Sequence, residues 1–392
     1  MSGGIVQLVA TGAQDAWLTG KPEVSFFRSS YKRYTHYARS FERQTIQGNP
    51  SAGNISTIRL EKKGDLVNTI YMVAKDSTGA VIPGVNWRNV IDKIELLIGG
   101  QIIDTQDITW MSEIEPITGA QNFSQRYLNN NATGPNNFTA GFFPLKFFFC
   151  KDWNVSLPLV ALQYHDIEIR ITWNSNLSSQ TVGVNNGSGT PGAVSYSTLQ
   201  YEAWTNFVYL DQAEREYFAN TPMDILFTQV NRIPFGTNNM QELALAHPVK
   251  FLAFQSNNYT NSYNLAANVA STLTSYIAPI NYQFKTQING VDIGDSRSML
   301  QWADVPQYYF TPYGYNHANQ TANVAIISYC LDTSKLQPTG TLNFSRIDTY
   351  RMVAPAGVSL STLAGGNGRY IYAVNYNVLR IKDGMGGMLY SN

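Results

Sequence analysis

Four histidines, two cysteines and one close pair of glutamates are the residues of this 392-residue chain whose types most readily suggest catalysis or metal binding. His36, His165, His247 and His317 stand far apart. None forms the H-x-H or H-E-x-x-H spacing that brings two imidazoles to one metal from a single strand or helix. Sequence distance does not forbid clustering in space, but scattered histidines of this kind read as structural. Cys150 and Cys330 are too few for a disulfide framework or a thiolate metal site, and neither sits in a nucleophile motif. No G-x-x-x-x-G-K-[ST] loop or G-x-S-x-G elbow occurs, and Gly384-Met385-Gly386-Gly387 has no following helix to hold a phosphate. Glu113 and Glu115 could imitate the carboxylate pair of a glycosidase, but they lie two apart at what reads as a strand end or loop. That chemistry needs carboxyls on either side of a sugar bond. No catalytic, cofactor or metal residue is therefore expected.

One stretch invites a binding function. Phe26-Phe27-Arg28-Ser29-Ser30-Tyr31-Lys32-Arg33-Tyr34-Thr35-His36-Tyr37-Ala38-Arg39 interleaves cations with aromatic rings. Single-stranded nucleic acid is bound this way, with rings for the bases and cations for the phosphates. The competing reading is an assembly segment whose Arg28, Tyr31, Lys32, Arg33 and Tyr34 lock onto a neighbouring subunit. A formal net charge of zero and the lack of an RNP-type motif favour assembly.

Composition bears on the same question. Charged residues are 14% of the chain and aromatics 13%, whereas an average soluble chain carries about 25% charged residues. Depletion of charge with enrichment of Tyr and Phe suits a protein that buries surface against neighbours. It equally suits a β-rich globule whose composition follows strand propensity. Zero net charge gives no global attraction to nucleic acid or to an anionic membrane. The opening Met1-Ser2-Gly3-Gly4-Ile5-Val6 lacks the basic and apolar regions of a signal peptide. No apolar run reaches the roughly 18 residues of a membrane span. With so few cysteines, maturation in a reducing cytoplasm is expected. N-x-S/T sequons, among them Asn54, Asn131, Asn137, Asn186 and Asn258, say little in a chain this rich in Asn, Ser and Thr.

The elements that would position these residues are strands. Ile167-Glu168-Ile169-Arg170-Ile171 alternates with period two, as a strand with one buried face does. Ile94-Glu95-Leu96-Leu97-Ile98 runs through Gly99-Gly100 into Gln101-Ile102-Ile103, and Phe147-Phe148-Phe149 reads as a strand buried on both sides. Further strand-like runs occupy residues 249–254, 282–288, 324–329 and 370–381. Helical periodicity is scarce; residues 211–218 carry the best example, with Asp211 as N-cap. Polar stretches at 129–141, 174–200, 257–280 and 354–368 exceed ordinary connections and read as decorations on a β scaffold. Tyr and Leu threaded through 257–280 argue against disorder throughout.

A weak duplication is also present. Ile98-Gly99-Gly100-Gln101-Ile102-Ile103 resembles Ile288-Asn289-Gly290-Val291-Asp292-Ile293 at an offset of 190 residues (Gly100 to Gly290), each followed by a tryptophan, Trp110 and Trp302. Glu168-Ile169-Arg170-Ile171 resembles Val378-Leu379-Arg380-Ile381 at an offset of 210 (Arg170 to Arg380). Two matches in order suggest two similar β domains in tandem. The junction falls within 207–222, where Asn220-Thr221-Pro222 ends the helical stretch.

The string Gln7-Leu8-Val9-Ala10-Thr11-Gly12-Ala13-Gln14-Asp15, then Leu18-Thr19-Gly20-Lys21-Pro22, Phe26-Phe27-Arg28 and Tyr31-Lys32-Arg33-Tyr34-Thr35, closely resembles the opening of major capsid proteins of nucleocytoplasmic large DNA viruses, phycodnavirus-type proteins above all. Leu157-Pro158-Leu159-Val160-Ala161-Leu162-Gln163-Tyr164-His165 is similar to a second family signature. So are Gly340-Thr341-Leu342-Asn343-Phe344-Ser345-Arg346-Ile347-Asp348, Asn375-Tyr376-Asn377-Val378-Leu379-Arg380-Ile381 and Gly384-Met385-Gly386-Gly387.

The resemblance implies an all-β double jelly roll, two tandem eight-stranded antiparallel sandwiches. The expected division is an N-terminal arm at 1–24, a first roll at 25–210, a linker at 211–222 and a second roll at 223–392. It implies a homotrimer serving as a pseudo-hexagonal capsomer of an icosahedral double-stranded DNA virus shell. Neighbouring capsomers, minor capsid and penton proteins and a nearby internal membrane would be its partners, with no specific nucleic-acid binding. It implies location in the virion after assembly in the host cytoplasm, with no enzyme activity and no cofactor. Loops 129–141 and 257–280 are assigned to the outer surface. Two alternatives remain: a minor capsid paralogue, or a carbohydrate-binding or glycoside-cleaving β-sandwich stacking sugars on exposed aromatics such as Trp153 or Trp173.

Overall fold

The computed structural model describes residue 4 and residues 7–82, 85–119, 139–178, 181–185, 191–255, 283–312, 324–364 and 370–390. It divides into two compact units, Met1–His36 and Tyr37–Asn392. In the first unit, Ala16–Thr19 forms one helical turn, and the Gly12 amide donates to Asp15 Oδ2 at 2.9 Å just before it.

In the second unit, eight principal strands form a first sandwich: β1 Tyr37–Gln44, β2 Ile55–Arg59, β3 Leu66–Lys75, β4 Ile91–Ile98, β5 Gln101–Asp107, β6 Leu157–Pro158, β7 Ile167–Trp173 and β8 Gln200–Leu210. They pair antiparallel as β1-β8-β3-β6 and β2-β7-β4-β5. A second set follows: β9 Met223–Pro234, β10 Met240–Glu242, β11 Pro248–Gln255, β12 Gln283–Ile288, β13 Val291–Asp292, β14 Val324–Ser328, β15 Tyr350–Val353 and β16 Tyr370–Lys382. Its sheets run β9-β16-β11-β14 and β10-β15-β12-β13. The two halves share one order, first-eighth-third-sixth and second-seventh-fourth-fifth, which is the double jelly roll expected from the sequence.

Alternation sets the layers. In β7 the burial pattern follows period two, with Ile167, Ile169, Ile171 and Trp173 inside and the residues between them part-exposed. The hairpins β4–β5 and β12–β13 turn on Gly99 and Gly100 (φ +57° and +82°) and on Asn289 and Gly290 (φ +49° and +82°). Two successive positive φ angles match the twist of the flanking strands, and Asn or Gly adopts them at least cost. This match of the duplication is therefore a true equivalence. The other is not: Glu168–Ile171 lies in the seventh strand of its roll, whereas Val378–Ile381 lies in the eighth strand of the other. Alternating apolar residues around an arginine are common to any half-buried strand.

Three local expectations are corrected. Phe147–Phe149 forms no strand; Phe148–Lys151 is a single helical turn beginning after Phe147, and its rings stack on one another in the core. Part of 174–200 is a hairpin of Thr181–Asn185 with Pro191–Ser195. Residues 354–364 do not project, since Leu360, Leu363 and Ala364 are buried. Residues 129–138 and 257–280, assigned to the outer loops, lie outside the described residues.

The linking helix α1 spans Gln212–Asn220. Asp211 occupies the N-cap position, but its side chain makes no capping bond. Arg215 fixes the helix instead, donating from Nε and Nη2 to the Asp65 carboxylate at 2.9 and 3.0 Å. A second helix, α2, spans Met299–Phe310 and was not anticipated. Its start carries a capping box in which Ser298 and Gln301 satisfy each other's backbone amides.

Candidate assembly interface

The two rolls are fused along a seam. Sheet β9-β16-β11-β14 is buried on both faces: Leu252, Phe254, Ile371 and Ala373 point into the second roll's own core, while Phe251, Ala253, Tyr372 and Val374 join the core cluster of the first roll. Trp110, in the helical turn Trp110–Ile114 after β5, reaches across and lies 5.8 Å from the Tyr372 ring and 6.4 Å from the Phe251 ring. Phe148 packs on Phe227 at 5.0 Å. Each such buried side chain contributes about 1.5–3 kcal/mol, so the seam is a core in its own right rather than a contact between independent domains.

Polar groups set its register. Gln229 Nε2 donates to the Ile103 carbonyl at 2.9 Å, and the Val230 amide donates to Asp104 Oδ1 at 3.0 Å. The Tyr372 hydroxyl donates to Asp107 Oδ2 at 2.6 Å, with Arg232 at 3.5 Å from the same oxygen. Burial drives the Asp104 pKa up to about 6 and raises that of Asp107, against the opposing pull of their donors. Lys250, also buried, donates to the carbonyls of Thr333 and Lys335 at 2.8 and 2.6 Å; burial lowers its pKa to about 8.

At the other end, two strings noted separately in the sequence meet. The Tyr164 amide donates to the Gly384 carbonyl at 3.0 Å, and His165 Nδ1 lies 2.8 Å from the Gly386 carbonyl. A Cβ on Gly386 would stand 2.6 Å from Leu162 Cδ2, and one on Gly384 2.6 Å from Tyr164 Cδ2. The C-terminal glycines are thus there for close packing.

The residues singled out for catalysis have structural roles. Glu113 pairs with Arg88, and Glu115 with Lys146, all in the first roll. Burial raises the Glu113 pKa and lowers those of Arg88 and Lys146, with the ion pairs opposing it. Cys150 and Cys330 are both free, and burial pushes the Cys150 thiol up to about 12. Among the described residues no group of three or more His, Cys, Asp or Glu side chains comes together as a metal site. His317 lies outside those residues. Trp173 is fully buried and donates to Ser56 Oγ at 2.8 Å, so it offers no sugar platform; Trp153 is exposed beneath Arg39.

Arg28, Tyr31, Lys32, Arg33 and Tyr34 fall in the Met1–His36 unit, where residues 29–36 form neither helix nor strand and Tyr31 and Tyr34 are 87% and 81% exposed. The seam residues Asp104, Asp107, Gln229 and Tyr372 had no signal in the sequence, since each partner lies more than a hundred positions away.

A family model described as the major capsid protein N-terminus matches residues 25–211. One described as large eukaryotic DNA virus major capsid protein matches residues 214–387. The major capsid protein of Paramecium bursaria Chlorella virus 1 is 32% identical over 454 aligned positions that cover 100% of both chains. The chain belongs to the major capsid proteins of large eukaryotic DNA viruses. The Pyramimonas orientalis virus major capsid protein is 29% identical, again over 100% of both chains. Among solved structures, a chain of the PBCV-1 virus capsid superposes with a TM-score of 0.68 at 27% identity, covering 94% of this chain and 100% of that one. The Faustovirus major capsid protein, at 11% identity and a TM-score of 0.55, shares the fold, covering 95% of each chain. This capsid protein is therefore a structural subunit of an icosahedral virus shell, not an enzyme, and its place is the virion.

Proposed function

We propose that three copies of the chain close into a pseudo-hexagonal capsomer that tiles the shell. One observation supports this above the others: both rolls have the same strand order and are held by one packed seam. Three rigid pairs around a threefold axis then present six similar domains, and cyclic closure lets one set of contacts serve every copy. The functional division is an arm at 1–24, rolls at 25–210 and 223–392, and a linker at 211–222.

In this reading, capsomers assemble in the host cytoplasm, contact minor capsid and penton proteins, and lie near an internal membrane. Arg28, Tyr31, Lys32, Arg33 and Tyr34 act in assembly; their exposed rings and cations suit a protein neighbour. Size-exclusion chromatography with light scattering on the purified chain tests the capsomer. A mass of three chains is expected; a stable monomer at micromolar concentration counts against it.

A further inference from the structure

Because the rolls share one topology, each surface used at the in-chain seam has a counterpart elsewhere on the subunit. The seam joins β5 and the helical turn after it to the outer face of β9-β16-β11-β14. The counterpart of that sheet is β1-β8-β3-β6 in the first roll. The counterpart of β5 and its turn is β13 with α2 in the second.

The two members of each pair differ in exposure. On the seam, Phe251 and Tyr372 are 2% and 1% exposed. On the equivalent face of the first roll, register sets Phe41 beside Asn206 and Trp204 beside Tyr71. The Phe41 and Tyr71 rings meet edge-on at 5.8 Å, and Tyr71 meets Phe142 at 5.9 Å. Phe41 is 45% exposed and Tyr37 50%. Likewise Ile103 and Trp110 are buried at the seam, whereas Val291 and Ile293 beside the second hairpin are 70% and 43% exposed. Tyr308 and Tyr309 on α2 are 66% and 68% exposed. Charge agrees as well. Arg39 and Arg43 line the sheet, while Asp292 and Asp295 are exposed at the hairpin; in the seam a β9 cation, Arg232, faces Asp107.

We infer that β13 and α2 of one copy dock on the outer face of β1-β8-β3-β6 in the next, repeating between chains the seam already made within each chain. This rests on the capsomer reading and names the surfaces it uses. The contact is head-to-tail, joining two different patches, and it closes as a ring rather than growing as a filament. The exposed aromatic faces are explained by it, since large apolar patches on a soluble surface mark binding sites.

The test uses full-length chains carrying Phe41→Glu, which spoils the sheet face, or Ile293→Glu with Tyr308→Glu, which spoils the hairpin and helix. Light scattering should read one chain mass for each variant alone, with the wild-type circular dichroism spectrum retained. Mixed in equal amounts, the two variants should give a species of two chain masses, because each retains the surface the other lost. Wild-type trimers with variants that also remain trimeric would overturn the inference and leave the capsomer reading intact. Monomeric variants whose mixture stays monomeric would overturn it as well. A wild-type chain that is itself monomeric would remove the capsomer reading first. Should a glutamate variant fold poorly, Phe41→Ser and Ile293→Ser carry the same mixing test.

Discussion

The Tyr372 hydroxyl donates to Asp107 Oδ2 at 2.6 Å, tying the second roll's β16 to the end of the first roll's β5 across 265 residues of sequence. Asp107 also accepts the Trp110 amide at 2.8 Å, so one carboxylate fixes both the turn that carries Trp110 and the strand it packs against. Tyr372→Phe removes a single donor from a buried acceptor. A loss of about 1–3 kcal/mol is expected, read as a lower urea midpoint with an unchanged slope. A change within a few tenths of a kcal/mol would mean the bond does not hold the seam.

Asp104 makes the seam sensitive to pH. Its folded pKa, about 6, stands above the model value of 3.8 because burial penalises the carboxylate. The fold thus favours the protonated form. Its contribution to stability is full below about pH 4 and is lost as pH rises through 6. Urea titrations of wild type and Asp104→Asn should show the wild-type advantage shrinking between pH 4 and 6 and staying level above 7. An advantage that grows with pH would show the carboxylate is held ionised.

The C-terminal glycines divide by what surrounds them. Gly386→Ala would drive a methyl group into Leu162, which is fully buried and has no room to retreat. Overpacking of this kind costs about 1–3 kcal/mol. Gly387→Ala meets only the end of the Gln101 side chain at 3.3 Å and should cost much less. Thermal melts of the two variants side by side check the contrast; equal losses would contradict it.

Glu115 and Lys146 form a buried pair, each side chain 6% exposed. Glu115→Ala strands the ammonium and should cost about 3–5 kcal/mol. Replacing both with Met should recover most of that loss. Folding yield and denaturant midpoints report both outcomes, and an undisturbed single variant would show that the pair does not matter.

Arg28→Ala combined with Arg33→Ala should impair trimer or shell formation while leaving nucleic-acid affinity unchanged. Filter binding with single-stranded DNA and light scattering separate the two effects. Lost DNA binding with normal assembly would reverse the assignment.

Local patterns in the sequence disclosed the β layers well. The alternation of residues 167–171 and the Gly99-Gly100 and Asn289-Gly290 turns carry their geometry within a few residues, and the hairpin equivalence survived in the fold. Helix α2 was missed because Pro306 interrupts it, although the Ser298 and Gln301 capping pair was there to be read. The Phe147–Phe149 run misled because an apolar string without period fits a buried turn as well as a strand. The seam was illegible for a different reason. Val230 meets Asp104 across 126 positions, and polar residues such as Gln229 and Asp104 are buried only because the other roll covers them. The glycines at 384–387 were visible, but nothing local says that their partner is the loop at 162–165.

Negative-stain microscopy of the purified chain examines the capsomer most directly. Class averages should show six-lobed, hexagonal particles with threefold symmetry. Compact two-lobed particles of single-chain size, at concentrations where the protein is otherwise folded, would contradict the account.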